Sequence, residues 1–126
     1  MKRSTFVLII CIYGFLLGIT MFFFSKSTVA FFDGDPENFH EVGLMRFFGA
    51  LHLGFNFVGL SIRHTLDTKV AKAYLLGTAF VFLASLGTGL YNVYGLGLPP
   101  NDSFWFDSSL WTILGLGCLY FYSKEK

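Results

Sequence analysis

Residues 44–63 read LMRFFGALHLGFNFVGLSIR. A run of about twenty mostly apolar residues is what a helix needs to cross the hydrocarbon of a bilayer. The same run carries Arg46, His52 and Asn56. Such groups are costly in hydrocarbon unless they face protein or water. On a helix at about 100° per residue, Arg46, Gly49, Leu53 and Asn56 fall within roughly 80° of one another. His52 and Gly59 extend that side, and Phe48, Leu51, Phe55 and Val58 lie opposite. The sequence therefore predicts a spanning helix over 43–62 with its polar groups turned to a protein interior and its phenylalanines to lipid.

The rest of the chain fits walls built around that helix. Of the 126 residues, 54% are hydrophobic and 13% charged, with seventeen Phe. An average soluble domain is about a quarter charged. The apolar residues come in long blocks, which points to a single integral membrane domain over 1–126. A net charge of +1 gives no ground for nucleic-acid binding.

Three more apolar blocks predict helices over about 5–24, 73–96 and 104–122. The first follows Lys2 and Arg3 and is longer than a signal-peptide core, so a retained helix is favoured over cleavage after Ala30. Cys11, Gly14, Gly18 and Met21 make one stripe in it, with a small-x-x-x-small spacing that lets another helix approach closely. Packing within the chain is the plainer use of that stripe; dimerisation is the other.

Residues 25–41, SKSTVAFFDGDPENFHE, read as an acidic polar loop, with Gly34 expected to supply a positive φ. The Asp33-x-Asp35 pair lacks the remaining spaced oxygens of a calcium loop. Residues 63–72 read as a short basic turn. Pro99 and Pro100 end the third helix.

Basic residues set the orientation. Lys2, Arg3, Arg63, Lys69, Lys72, Lys124 and Lys126 fall on one side, and Lys26 alone falls in the opposite loops. The positive-inside rule puts both termini in the cytoplasm, so the expected fold is an all-α, antiparallel four-helix transmembrane bundle, N-in and C-in.

The third helix carries Tyr74, Thr78, Val81, Ser85, Thr88 and Asn92 as one seam. The fourth carries Asp107, Trp111, Gly115, Cys118 and Tyr122 down one side. With these depths, Arg46, Asn92 and Asp107 share an outer level, and His52 lies about 9 Å deeper than Arg46. A ligand pocket of Arg46, His52, Asn56, Asn92, Asp107 and Trp111, opening outward, is one expectation. The plainer one is structural. Arg46 would pair with Asp107 or a loop carboxylate, or snorkel to the headgroups. His52 and Asn56 would form an interhelical hydrogen-bond pair, and the Ser/Thr seam would be packing.

Catalytic signals are sparse. The sequence has no nucleophile elbow, no phosphate loop and no Cys/His cluster at metal spacing. Haem ligation by His52 would need a second axial ligand other than histidine. No cofactor, metal or catalytic residue is assigned.

The run Arg46-Phe47-Phe48-Gly49-Ala50, followed by Gly54 and the basic turn at Arg63, resembles small bacterial four-span membrane proteins without assigned activity. More loosely it is similar to the four-span scaffold proteins of ergosterol biosynthesis in the endoplasmic reticulum, which share an Arg-x-Phe-Gly in helix two. Residues 90–94, LYNVY, match no pattern of that kind. The resemblance implies a four-span fold and no catalytic residue.

The expected function is a non-enzymatic partner or scaffold subunit in the bacterial inner (plasma) membrane. It would contact the lipid bilayer, another membrane protein and a small apolar or lipid-like ligand. The alternative is a ligand-binding or transport-type membrane protein using the pocket around Arg46, His52, Asn92 and Asp107. An enzyme acting on a lipid or quinone comes third.

Overall fold

Five helices account for the order along the chain in the computed structural model, which describes residues 1–100 and 102–125. Asn101, part of the break expected after the third block, and Lys126 of the basic tail lie outside the described residues. Helix makes up 81% and strands are absent among the described residues. The chain forms two compact units, Met1–His64 and Thr65–Lys126.

The first unit holds α1 (Arg3–Phe23), α2 (Ser25–Phe31) and α3 (Phe39–Ile62). α1 buries Phe6, Val7, Ile10, Cys11, Gly14 and Gly18, a stripe at helical spacing. It runs antiparallel to α3, in a ladder read from four contacts. Gly14 faces Asn56, Gly18 faces Leu53, and Phe22 faces Gly49. Ser25 then receives a hydrogen bond from Arg46. The glycines make this approach possible. A Cβ on Gly49 would stand 2.6 Å from the Phe22 backbone nitrogen, and one on Gly18 2.9 Å from Leu53 Cδ2. Higher up, the Phe15 and Phe57 rings meet edge to face at 4.9 Å. The small-residue stripe of α1 is thus used inside the unit.

The segment 25–41 is not the continuous polar loop expected of it. α1 bends at Phe24 (φ −115°, ψ 37°) and the chain resumes as α2, with Ser25 and Val29 buried. Thr28 Oγ1 donates to the carbonyls of Thr20 and Phe24 at the bend, satisfying acceptors that a helix end leaves open. α2 closes in a Schellman motif: Asp33 N–H donates to Ala30 O (3.1 Å) and Gly34 N–H to Val29 O (2.9 Å). The left-handed residue is Asp33 (φ 59°), not Gly34.

α3 starts at Phe39 rather than 43, because the Asn38 side chain caps it and is itself held by Glu41. Asn38 Oδ1 accepts from the N–H groups of His40 (3.0 Å) and Glu41 (3.4 Å), and Asn38 Nδ2 donates to Glu41 Oε1 (2.9 Å).

The second unit pairs α4 (Thr68–Leu90) with α5 (Phe104–Lys124). α4 likewise starts earlier than 73, because Asp67 accepts from Lys69 N–H (2.8 Å) and Val70 N–H (3.2 Å). The helices are antiparallel. Lys72 Nζ lies 5.6 Å from the Tyr122 ring centre. A Cβ on Gly115 would stand 3.0 Å from Leu83 Cδ2, and one on Gly89 3.4 Å from Phe104. α4 buries Ala71, Tyr74, Leu75, Thr78, Ala79 and Phe82. The expected seam therefore holds at Tyr74 and Thr78 and fails at Val81 and Thr88, which are exposed. α-helix ends at Leu90 and five residues, Tyr91–Gly95, continue as π-helix. Gly97 (φ 69°) then turns the chain away.

Among the described residues three helices are long and apolar enough to cross a membrane: Arg3–Phe23, Phe39–Ile62 and Thr68–Gly95. A third or less of each apolar window is buried within the protein. α5 has 21 residues but is not among them. Its first half carries Asp107, Ser108, Ser109 and Thr112.

Candidate functional site

The polar residues singled out by the sequence divide between the units. Arg46, His52 and Asn56 belong to the first, and Asn92, Asp107 and Trp111 to the second.

In the first unit, Arg46 projects from α3 onto the bend between α1 and α2. Its Nε donates to Ser25 Oγ at 3.0 Å. Ser25 is 2% exposed, while Arg46 is exposed. One nitrogen of the guanidinium is thus fixed by a buried partner and the head is left at the surface. Asn56 is 3% exposed. Its Nδ2 donates to the His52 backbone carbonyl at 2.7 Å, one turn earlier on the same helix. Of the interhelical hydrogen-bond pair expected of His52 and Asn56, the Asn56 amide thus makes its bond within α3. Asn56 Oδ1 is buried without a hydrogen-bond partner among the described residues.

Loop carboxylates near this end are committed locally. Glu37 takes Lys26 in an ion pair at 3.0 Å. Glu41 Oε2 accepts from Asp35 N–H at 2.9 Å, and Asp35 Oδ1 accepts from Glu37 N–H at 2.9 Å. These are turn and cap contacts, not the oxygen cage a calcium ion needs.

In the second unit, Asp107 Oδ2 accepts from Ser103 Oγ at 2.7 Å at the start of α5. Asn92 and Trp111 come together. With Ala84, Ser85, Thr88 and Gly89 they line an open groove of about 410 Å³ between the end of α4 and α5. Thr88 Oγ1 spends its proton on the Ala84 carbonyl at 2.9 Å and keeps its lone pairs for an incoming donor. Asn92 adds an amide with both donor and acceptor character, and Trp111 an aromatic face. The groove carries no charged side chain. Along the chain it runs from the last turns of α4 to the start of the π-helical turn.

Among the described residues no three His, Cys, Asp or Glu side chains gather as they would to hold a metal ion. Cys11 and Cys118 are both buried. Ser25 was not legible as a site residue, since nothing in the spacing links it to Arg46 twenty-one positions away. Ser85 and Thr88 were legible only as a seam. No protein-family model, curated protein or solved structure matches the chain.

Proposed function

We propose that the chain is a four-span integral membrane protein of the bacterial inner (plasma) membrane, with both termini cytoplasmic, acting as a non-enzymatic partner or scaffold subunit. The observation that carries this reading is the division of labour on the helices. Gly14, Gly18, Gly49 and Gly115 are spent on close packing within each unit, while Gly43, Gly54, Gly77 and Gly87 face open space and two thirds or more of each apolar span remains uncovered. Such faces suit lipid and a second membrane protein. Pairing of α5 with α4 supports a fourth span that returns the chain to the basic side. A four-helix bundle is the natural assembly of four such helices. Chemical crosslinking in native membranes, followed by purification in mild detergent, tests the proposal. A stoichiometric membrane partner is expected, and a lone monomer under those conditions would count against it. A fluorescent reporter fused at the C-terminus tests the topology, because it must fold in the cytoplasm to emit.

The second reading is binding of a small ligand, which the Asn92–Trp111 groove favours. Uncharged, hydroxyl- and amide-bearing walls beside an indole suit a neutral, largely apolar molecule carrying one hydrogen-bonding group. Native mass spectrometry of the gently extracted protein is expected to show a bound small molecule that Asn92→Leu removes. A clean unliganded spectrum would defeat this second reading and leave the first untouched.

A further inference from the structure

We propose that Arg46, held by Ser25, binds the phosphate group of a membrane phospholipid. The inference goes beyond the partner-subunit reading and depends on α3 being a membrane span.

The guanidinium presents its donors as a rigid fork suited to phosphate oxygens. Here Nε is taken by Ser25 Oγ at 3.0 Å, which fixes the plane of the fork. Both terminal nitrogens remain, and within its unit Arg46 has no carboxylate partner among the described residues. Two carboxylates of the unit are engaged elsewhere: Glu37 by Lys26, and Glu41 by Asp35 N–H and Asn38. An unpaired cation on an apolar helix is costly unless it meets an anion or water.

Depth and surroundings select the anion. Arg46 lies seven residues into α3, about 10 Å along the axis from its first residue. It lies within the apolar part of a 24-residue helix, and its side chain, leaning toward the helix N-terminus, reaches from there toward the headgroup phosphates. Phe24 and Phe47, the chain neighbours of Ser25 and Arg46, are 61% and 58% exposed. Beside the charge there is thus apolar surface for acyl chains, which a free phosphate ion would not use. Position supports the same choice: Arg46 sits between the buried Val42 and Gly49 on α3, so its stem is anchored where α1 and α2 meet.

The test compares lipids that share acyl chains and differ in phosphate. The full-length protein is purified in mild detergent and offered dioleoyl-phosphatidylglycerol, dioleoyl-phosphatidylethanolamine or dioleoylglycerol, with retention read by native mass spectrometry. Wild type is expected to retain either phospholipid over dioleoylglycerol by about tenfold, the scale of a charge-assisted hydrogen-bonded contact. Arg46→Gln should abolish that preference. Ser25→Ala, which keeps the charge and loosens the fork, should weaken it about threefold. Should Arg46→Gln fail to fold, Ser25→Ala decides. No preference in wild type, an unchanged preference in the variants, or displacement of the lipid by inorganic phosphate would each overturn the proposal. Retention in alkali-washed membranes tests the span separately from the lipid site.

Discussion

The Asn56 side chain occupies the place that a β-carbon on Gly14 would take. It is held there by the bond from Nδ2 to the His52 carbonyl, with Oδ1 sealed in the interface. This contact sets the first rung of the ladder between α1 and α3, and the rungs at Gly18, Gly49 and Ser25 follow at three- or four-residue steps. Gly14→Ala is expected to push the two helices apart or force the amide out of place. Overpacking of this kind costs roughly 1–3 kcal/mol. Gly54→Ala on the same unit, where a Cβ would meet nothing within 4 Å, should be neutral or mildly stabilising. Detergent-denaturant titration followed by circular dichroism measures both, and equal effects would show that the ladder is not set by close approach at Gly14.

The unpartnered oxygen makes Asn56 a test of what the amide contributes. Asn56→Leu removes the buried acceptor together with its donor and keeps the number of side-chain heavy atoms. The change is expected to be close to neutral, within about 1 kcal/mol. Asn56→Ala leaves an unfilled gap against Gly14 and should cost about 1–2 kcal/mol. The same titration reports the order. A large loss for Asn56→Leu would mean that Oδ1 meets a bonding partner in the membrane-embedded protein.

The long apolar blocks were legible because each is a composition signal spread over about twenty residues. Their starts were not. Asn38 and Asp67 are cap residues whose effect depends on one or two side-chain bonds, and both lie inside segments that read as loop or turn. α2 was hidden for a similar reason. Its seven residues carry polar Ser and Thr, and what keeps it helical is burial of Ser25 and Val29 against its neighbours. Of the candidate site, Asn92 and Trp111 were each legible as polar or aromatic positions on their own helices, but the π-helical turn that carries Asn92 was not. The Arg46–Ser25 bond joins different helices and leaves no local trace in the sequence.

Loss of a cap should be felt at the first turn of the helix it starts. Asn38→Ala removes the acceptor for the His40 and Glu41 N–H groups and the donor to Glu41. The expected cost is about 1 kcal/mol. Asn38→Asp keeps the acceptor and should retain most of it. Amide hydrogen exchange localises the effect: protection in the first turn of α3 should fall with Asn38→Ala, while protection in α4 stays as in wild type. Asp67→Ala is the mirror experiment, with loss confined to the start of α4.

At the turn between α2 and α3, Asp33 and Gly34 carry opposite requirements. Asp33 has the left-handed φ of 59°, which Asn and Gly tolerate and a β-branched residue does not. Gly34 has an ordinary φ but no room. A Cβ there would stand 2.6 Å from Glu41 Oε2 and 2.8 Å from Val29 Cγ1. That Glu41 oxygen is the acceptor for Asp35 N–H, so displacing it also loosens the turn that leads into the Asn38 cap. Asp33→Asn is therefore expected to leave stability unchanged, and Asp33→Ile to lower it by about 1–2 kcal/mol through backbone strain. Gly34→Ala should lower it by a similar amount through crowding. The two losses differ in their remedy. Shortening the carboxylate with Glu41→Asp in the Gly34→Ala background opens space for the new methyl and should recover part of the loss. The same change in the Asp33→Ile background should recover none, because the strain there is in the chain itself. Melting curves of the four variants in detergent separate the cases, and recovery in both backgrounds would show that crowding against Glu41, not φ, limits position 33 as well.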